Sequence, residues 1–255
     1  MATATCKFCL EVKPLIRAHI IPVGLYPKNP DGDRLQYSLS GEGTRPKKKV
    51  PHGVYDDRLV CETCERQFAA WDDYAIRFFV NETVPFQALV NEQGTPFRIY
   101  PLFDYAKLKL FFISMLWRAH ATDLPDFVKV DLGSKYEEMA KAMIKASDPG
   151  TPDQFAVFLI RFTGEHRLLG TSPTPRPHLG VVIYETLLFG FGSFIKASKR
   201  PLPTAYRNVQ LTDRQPLYML EKPIEDSPFV RYAIDAVKGE MVAKERLKTG
   251  RQWSS

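Results

Sequence analysis

The chain has 255 residues, 44% of them hydrophobic and 25% charged, and carries a net charge of +6 at neutral pH. That composition excludes a disordered chain and supplies a real core for one large domain or two modest ones. The modest excess of cations points to an anionic partner such as nucleic acid. No apolar run approaches the roughly 18 to 20 residues of a membrane span, so no membrane partner is expected.

In chain order, the first feature is the pair Cys6 and Cys9, followed by Ala18-His19-Ile20-Ile21-Pro22. The β-branched run predicts a strand that stops at Pro22, which cannot donate to a ladder. Residues 24–53 form a long polar connection with a turn signal at Asn29-Pro30-Asp31-Gly32. Its tip carries Arg45, Lys47, Lys48 and Lys49, four cations in five residues, suited to phosphate contact. Residues 54–61 predict a return strand. A helix over 62–75 follows, with Phe68, Trp71 and Ala75 as its apolar stripe. Glu65 and Asp72 are seven residues apart, about two turns, and share another face.

The second cysteine pair, Cys61 and Cys64, opens that helix, with 51 residues between Cys9 and Cys61. All four cysteines of the chain belong to these two pairs. A thiolate pair at i, i+3 grips one side of a tetrahedral Zn²⁺, and two pairs close a structural four-sulfur site. Two disulfides or four buried thiols are the competing arrangements, and disulfides need an oxidising compartment. The amino terminus has no basic segment leading into an apolar one, so a cytoplasmic location is expected.

Residues 84–101, with Pro85, Gly94, Pro96 and Pro101, read as an irregular boundary. Beyond it Phe103–Ala121 predicts a mostly buried helix, with His120 as a helix-end residue meeting the negative end of the dipole. A second helix is expected over Ser134–Ser147, with Ser134 and Glu137 as a capping box. β segments follow at 155–162 and 178–194, with an edge strand at 217–221. A closing helix over 228–247 carries Val230, Ile234, Val237 and Met241 on one stripe. Residues 100–255 thus form an α+β body with no recognisable chemistry, open to a ligand or a protein partner.

A zinc knuckle, a His-Ile-Ile-Pro strand, a basic loop and a second knuckle opening a helix resemble the HNH, or ββα-metal, nuclease family. The resemblance covers about the first 75 to 80 residues and implies a small zinc-stapled ββα-metal module, placed at 1–82, so that the whole is expected to be an α+β protein with this module followed by the larger α+β body. It implies that His19 is the general base and that Glu65 stands at the family's Asn position. Ala18 occupies the place of a metal ligand, and the motif's tail falls at Asp72 or Asp73. These positions imply Glu65 and Asp72 as ligands of a catalytic Mg²⁺ or Mn²⁺, and hydrolysis of nucleic-acid phosphodiester bonds, DNA foremost, in DNA processing or defence against foreign DNA. Ala18 and the missing Asn depart from the pattern. They leave a catalytically inactive zinc knuckle that binds DNA or protein as the alternative.

Overall fold

The structure is a computed structural model that describes residues 3–27, 38–39, 53–164, 170–214 and 216–227. The basic tip Arg45, Lys47, Lys48 and Lys49 and the closing helix expected over 228–247 lie outside the described residues.

The chain begins with a two-stranded antiparallel ribbon, β1 (Thr3–Thr5) and β2 (Val12–Pro14), which brackets the first cysteine pair. The turn closes through a bond from the Leu10 N–H to the Cys6 carbonyl, with Leu10 in the left-handed region at φ 67°. Next come β3 (Ala18–His19), β4 (Ser38–Leu39) and β5 (Tyr55–Asp56). β3 and β5 pair antiparallel, with His19 opposite Tyr55. Helix α1 (Glu62–Phe79) starts at Cys61, whose extended backbone serves as its N-cap. Residues 76–79 extend the helix expected over 62–75. It continues to Phe79 because Phe78 and Phe79 repeat the stripe and find buried partners.

A hairpin of β6 (Gln87–Val90) and β7 (Pro96–Tyr100) follows, then α2 (Tyr105–Ala121), α3 (Gly133–Ala146) and the strands β8 (Val157–Thr163) to β13 (Leu217–Pro223). Between them lie β9 (Gly170–Thr171), β10 (Thr174–His178), β11 (Val181–Leu187) and β12 (Phe191–Lys196). Seven strands form one mixed sheet in the order β10-β11-β12-β8-β13-β7-β6, and β9 pairs with β4. The hairpin was invisible as a pattern because its prolines flank or open strands. Its turn uses Gly94 at φ 76° and the Asn91 side chain, which accepts from the N–H groups of Gln93 and Thr95.

β13 is not the edge strand expected from Pro223. It lies between β8, to which it runs parallel, and β7, to which it runs antiparallel, and Pro223 occupies its last position, where a missing donor costs little. α3 also starts differently: Leu132 is the N-cap without a side-chain bond, and Ser134 lies inside the first turn. The α2 cap is Asp104, whose carboxylate accepts from the Lys107 N–H at 2.9 Å.

Packing follows the alternation of the sheet. Val157 and Leu159 of β8, Ile195 of β12 and Met219 of β13 face the main core with α1 and α2. Phe158 and Ile183 point to the opposite face, in a separate cluster. The core runs unbroken from the cysteine pairs into the sheet. Phe8 meets Trp117 edge-on at 5.0 Å, and Phe79 meets Phe191 at 4.6 Å. The expected split at residues 83–99 therefore falls on a hairpin whose strand β7 belongs to the same sheet as the body. No described helix is long and apolar enough to cross a membrane.

Candidate metal centre and the adjoining buried charges

The ribbon places Cys6 and Cys9 on a tight turn, and the start of α1 places Cys61 and Cys64 one turn apart. The two pairs meet. The Cys6–Cys64, Cys9–Cys61 and Cys61–Cys64 sulfurs are 3.8, 4.0 and 3.5 Å apart. All four sulfurs lie within 4.8 Å of one another. A tetrahedral Zn²⁺ with Zn–S bonds of about 2.3 Å requires sulfurs about 3.8 Å apart, so the cluster fits that ion. Disulfides are excluded in this geometry, because bonded sulfurs approach to about 2.05 Å.

The electrostatics suit thiolates. Burial raises the Cys6 thiol, but N–H groups of Cys9, Cys61 and Phe8 outweigh it and bring the thiol down to about 7. The Cys61 N–H reaches Cys6 Sγ at 3.4 Å. Burial pushes Cys9 and Cys64 upward, and neighbouring thiols add to the rise at Cys64. A dication reverses that balance by taking deprotonated sulfur as its ligand. Cys61 and Cys64 also sit at the positive end of the α1 dipole. Lys7 ties the knuckle to the end of α2, donating to the Ala121 carbonyl at 2.7 Å and to Asp123 at 2.6 Å.

Near the cluster, β3, α1 and α2 bring His19, Glu65 and Asp72 around the buried side chain of Arg118. His19 is half-buried, its ring 6.3 Å from that of Tyr55 and close to the backbone of Gly53. Ala18 is fully buried and offers no ligand atom. Asp72 and Glu65 do share a face of α1, and both feel the same cation. Burial raises the Glu65 carboxyl; Arg118 lowers it, Asp72 raises it, and the His19 backbone lowers it. Its Oε2 is buried with no hydrogen-bond partner among the described residues.

Arg118, which the sequence did not single out, has a side chain with no exposure at all. It donates to both Asp72 oxygens at 2.8 and 2.9 Å, to the His19 carbonyl at 2.9 Å and to the Ser114 carbonyl at 3.3 Å. The Phe68 ring lies 5.1 Å from its Cζ. The available signal was an arginine enclosed by Trp117 and Ala119 in a mostly apolar helix. Burial raises the Asp72 carboxyl, with Arg118 and His19 pulling it back down.

One buried guanidinium thus links the His19 carbonyl and Asp72 and lies within electrostatic reach of Glu65. Asp72 spends both oxygens on Arg118, which leaves Glu65 as the carboxylate with an uncommitted oxygen. Among the described residues, the four cysteines are the one group of three or more such side chains arranged to hold a metal. No protein-family model matches this chain, and neither the curated proteins nor the solved structures contain a significant match to it.

Proposed function

We propose that this protein is an HNH-like, divalent-metal-dependent endonuclease whose amino-terminal module is stapled by a four-cysteine zinc site. The observation that carries the reading is the convergence of β3, β5 and α1. A short antiparallel strand pair presents His19 beside a helix bearing a carboxylate with an unpartnered oxygen. In this reading His19 is the general base that takes a proton from the attacking water, a task suited to an imidazole titrating near neutral pH. Glu65 and a water shell would hold Mg²⁺ or Mn²⁺, which supplies charge stabilisation at the leaving oxygen. Asp72 does not ligate the ion here. It holds Arg118, which in turn fixes the carbonyl of His19. Arg45, Lys47, Lys48 and Lys49 would contact the phosphate backbone without reading sequence.

The test is nicking of supercoiled plasmid with Mg²⁺ or Mn²⁺ by the wild type, His19→Ala and Glu65→Gln. The reading expects cleavage that EDTA abolishes and that both substitutions reduce by at least about two orders of magnitude, the scale of general-base catalysis. Equal rates for wild type and His19→Ala would remove His19 from the mechanism.

A second reading is favoured by the commitment of Asp72 to Arg118 and by the apolar Ala18. A catalytically inactive zinc module would bind DNA, with affinity falling steeply as salt rises through counterion release, and would cleave nothing. Filter binding at two salt concentrations beside the nicking assay separates the two.

A further inference from the structure

The outer face of the seven-stranded sheet, turned away from α1 and α2, carries a cavity of about 840 Å³. That is within the range of roughly 300 to 1,000 Å³ typical of small-molecule sites. Three rings on its wall form a near-parallel column. Phe158 stacks on Phe194 with centroids 4.6 Å apart and planes 1° apart, and on Tyr206 at 4.8 Å and 17°. Tyr206 is held by His178, 2.6 Å from its hydroxyl. Phe194, at the end of the column, is half-buried.

Next to that end sits a carboxylate. Glu185 of β11 pairs with Phe194 of β12 across the ladder, so their side chains project to the same face. Glu185 also lines the cavity. Among the described residues its carboxylate makes no hydrogen bond and no ion pair within 4.0 Å. Burial pushes its carboxyl above the ordinary range, while Arg176 pulls it down. An apolar cover would strand this half-buried carboxylate, at a cost of a few kcal/mol for each unmet group. The complementary occupant is flat enough to extend the column and brings N–H donors on one edge. The cavity wall also carries Lys222, a cation that suits an anionic tail.

We propose that this cavity binds a nucleotide, its base stacked on Phe194 and its N–H edge donated to the Glu185 carboxylate. Guanine fits best, because its ring N–H and amino group present two parallel donors to two carboxylate oxygens. The inference does not rest on the nuclease reading, since none of these residues belongs to the group formed by His19, Glu65, Asp72 and Arg118.

The experiment is isothermal titration calorimetry on the full chain with GMP, AMP and UMP, for the wild type, Glu185→Gln and Phe194→Leu. Far-UV circular dichroism and zinc content check that the variants remain folded. GMP is expected to bind best. Glu185→Gln, which replaces an acceptor oxygen by an amide, should weaken it roughly ten-fold or more, as loss of a bidentate pair does. Phe194→Leu should weaken all three nucleotides together. Displacement of GMP by a guanine-containing oligonucleotide, but not by one of thymine alone, would identify a base on a strand as the source; no displacement would identify the free nucleotide. The proposal is overturned if none of the three nucleotides binds the full chain, which would leave the cavity to an apolar occupant, or if folded Glu185→Gln binds GMP as well as the wild type.

Discussion

Arg118 on α2 clamps Asp72 on α1 in a two-pronged ion pair, Nη1 to Oδ2 at 2.9 Å and Nη2 to Oδ1 at 2.8 Å, with no part of the arginine side chain exposed. The pair joins the two helices beneath the candidate site. Taking these charges out of water is expensive, and the bidentate geometry, the two carbonyl acceptors and the Phe68 face offset that cost.

Breaking the pair from one side should therefore be severe. Asp72→Ala leaves a buried guanidinium uncompensated and is expected to cost about 3–5 kcal/mol. The double replacement Arg118→Met with Asp72→Leu removes both charges and should recover most of that loss. Urea unfolding of Arg118→Met, Asp72→Leu and their double variant gives the coupling energy directly. Simple additivity of the single losses would mean that the clamp is not an energetic unit.

Zinc should be present at one ion per chain, and Cys9→Ser or Cys61→Ser should lose it. The binding energy of such sites is folding energy on the order of 10 kcal/mol. Chelation is accordingly expected to expose the segment from β1 to β3 to protease well before the seven-stranded sheet. Atomic emission on the purified protein, followed by timed proteolysis with and without chelator, checks both statements.

Gly53 fixes the surroundings of His19. Its φ of 71° lies in the left-handed region, and a Cβ there would approach Tyr26 Cε2 to 3.2 Å and His19 Cδ2 to 3.6 Å. Gly53→Ala should cost about 1–2 kcal/mol from backbone conformation alone. If His19 is the base, nicking should fall further than this loss of stability explains. Thermal melts and nicking rates measured on the same preparation compare the two effects.

Lys109 makes stability depend on pH. It is fully buried on α2, with Nζ donating to the Tyr105 hydroxyl at 3.0 Å and to the Thr151 carbonyl. Burial lowers its ammonium to about 7; Asp153, Asp213 and Asp148 oppose the fall, and Lys196 adds to it. The unfolded chain keeps that proton up to the ordinary lysine range. Between pH 7 and about 10.4 the unfolded state thus binds more protons, and folding stability rises with pH by at most about 1.4 kcal/mol per unit. Lys109→Met should flatten the rise. Denaturant unfolding of both proteins at pH 7 and 9 measures it.

The four-sulfur cluster was legible in the sequence because two i, i+3 pairs restrict which atoms can meet, whatever lies in the 51 residues between them. The helices were legible from local periodicity, so α1 and α2 fell within a few residues of their expected spans. Local pattern could not decide what depends on pairing across the chain. Pro223 reads as an edge signal, yet β13 lies inside the sheet, because one proline at a strand's end leaves its other ladder bonds intact. The β6–β7 hairpin escaped because prolines at its borders look the same as prolines in a loop.

By itself, then, the sequence determined the thiol cluster, the apolar faces of α1 and α2, and a histidine next to an acidic helix. Only the tertiary structure assigned partners. It set Arg118 against Asp72, 46 positions away, left an oxygen of Glu65 unpaired, and brought Glu185 beside Phe194 on the outer face of the sheet. The physical reason is that periodicity reports which side of an element is buried, whereas the partner of a buried charge is chosen by the crossing of elements distant in the chain.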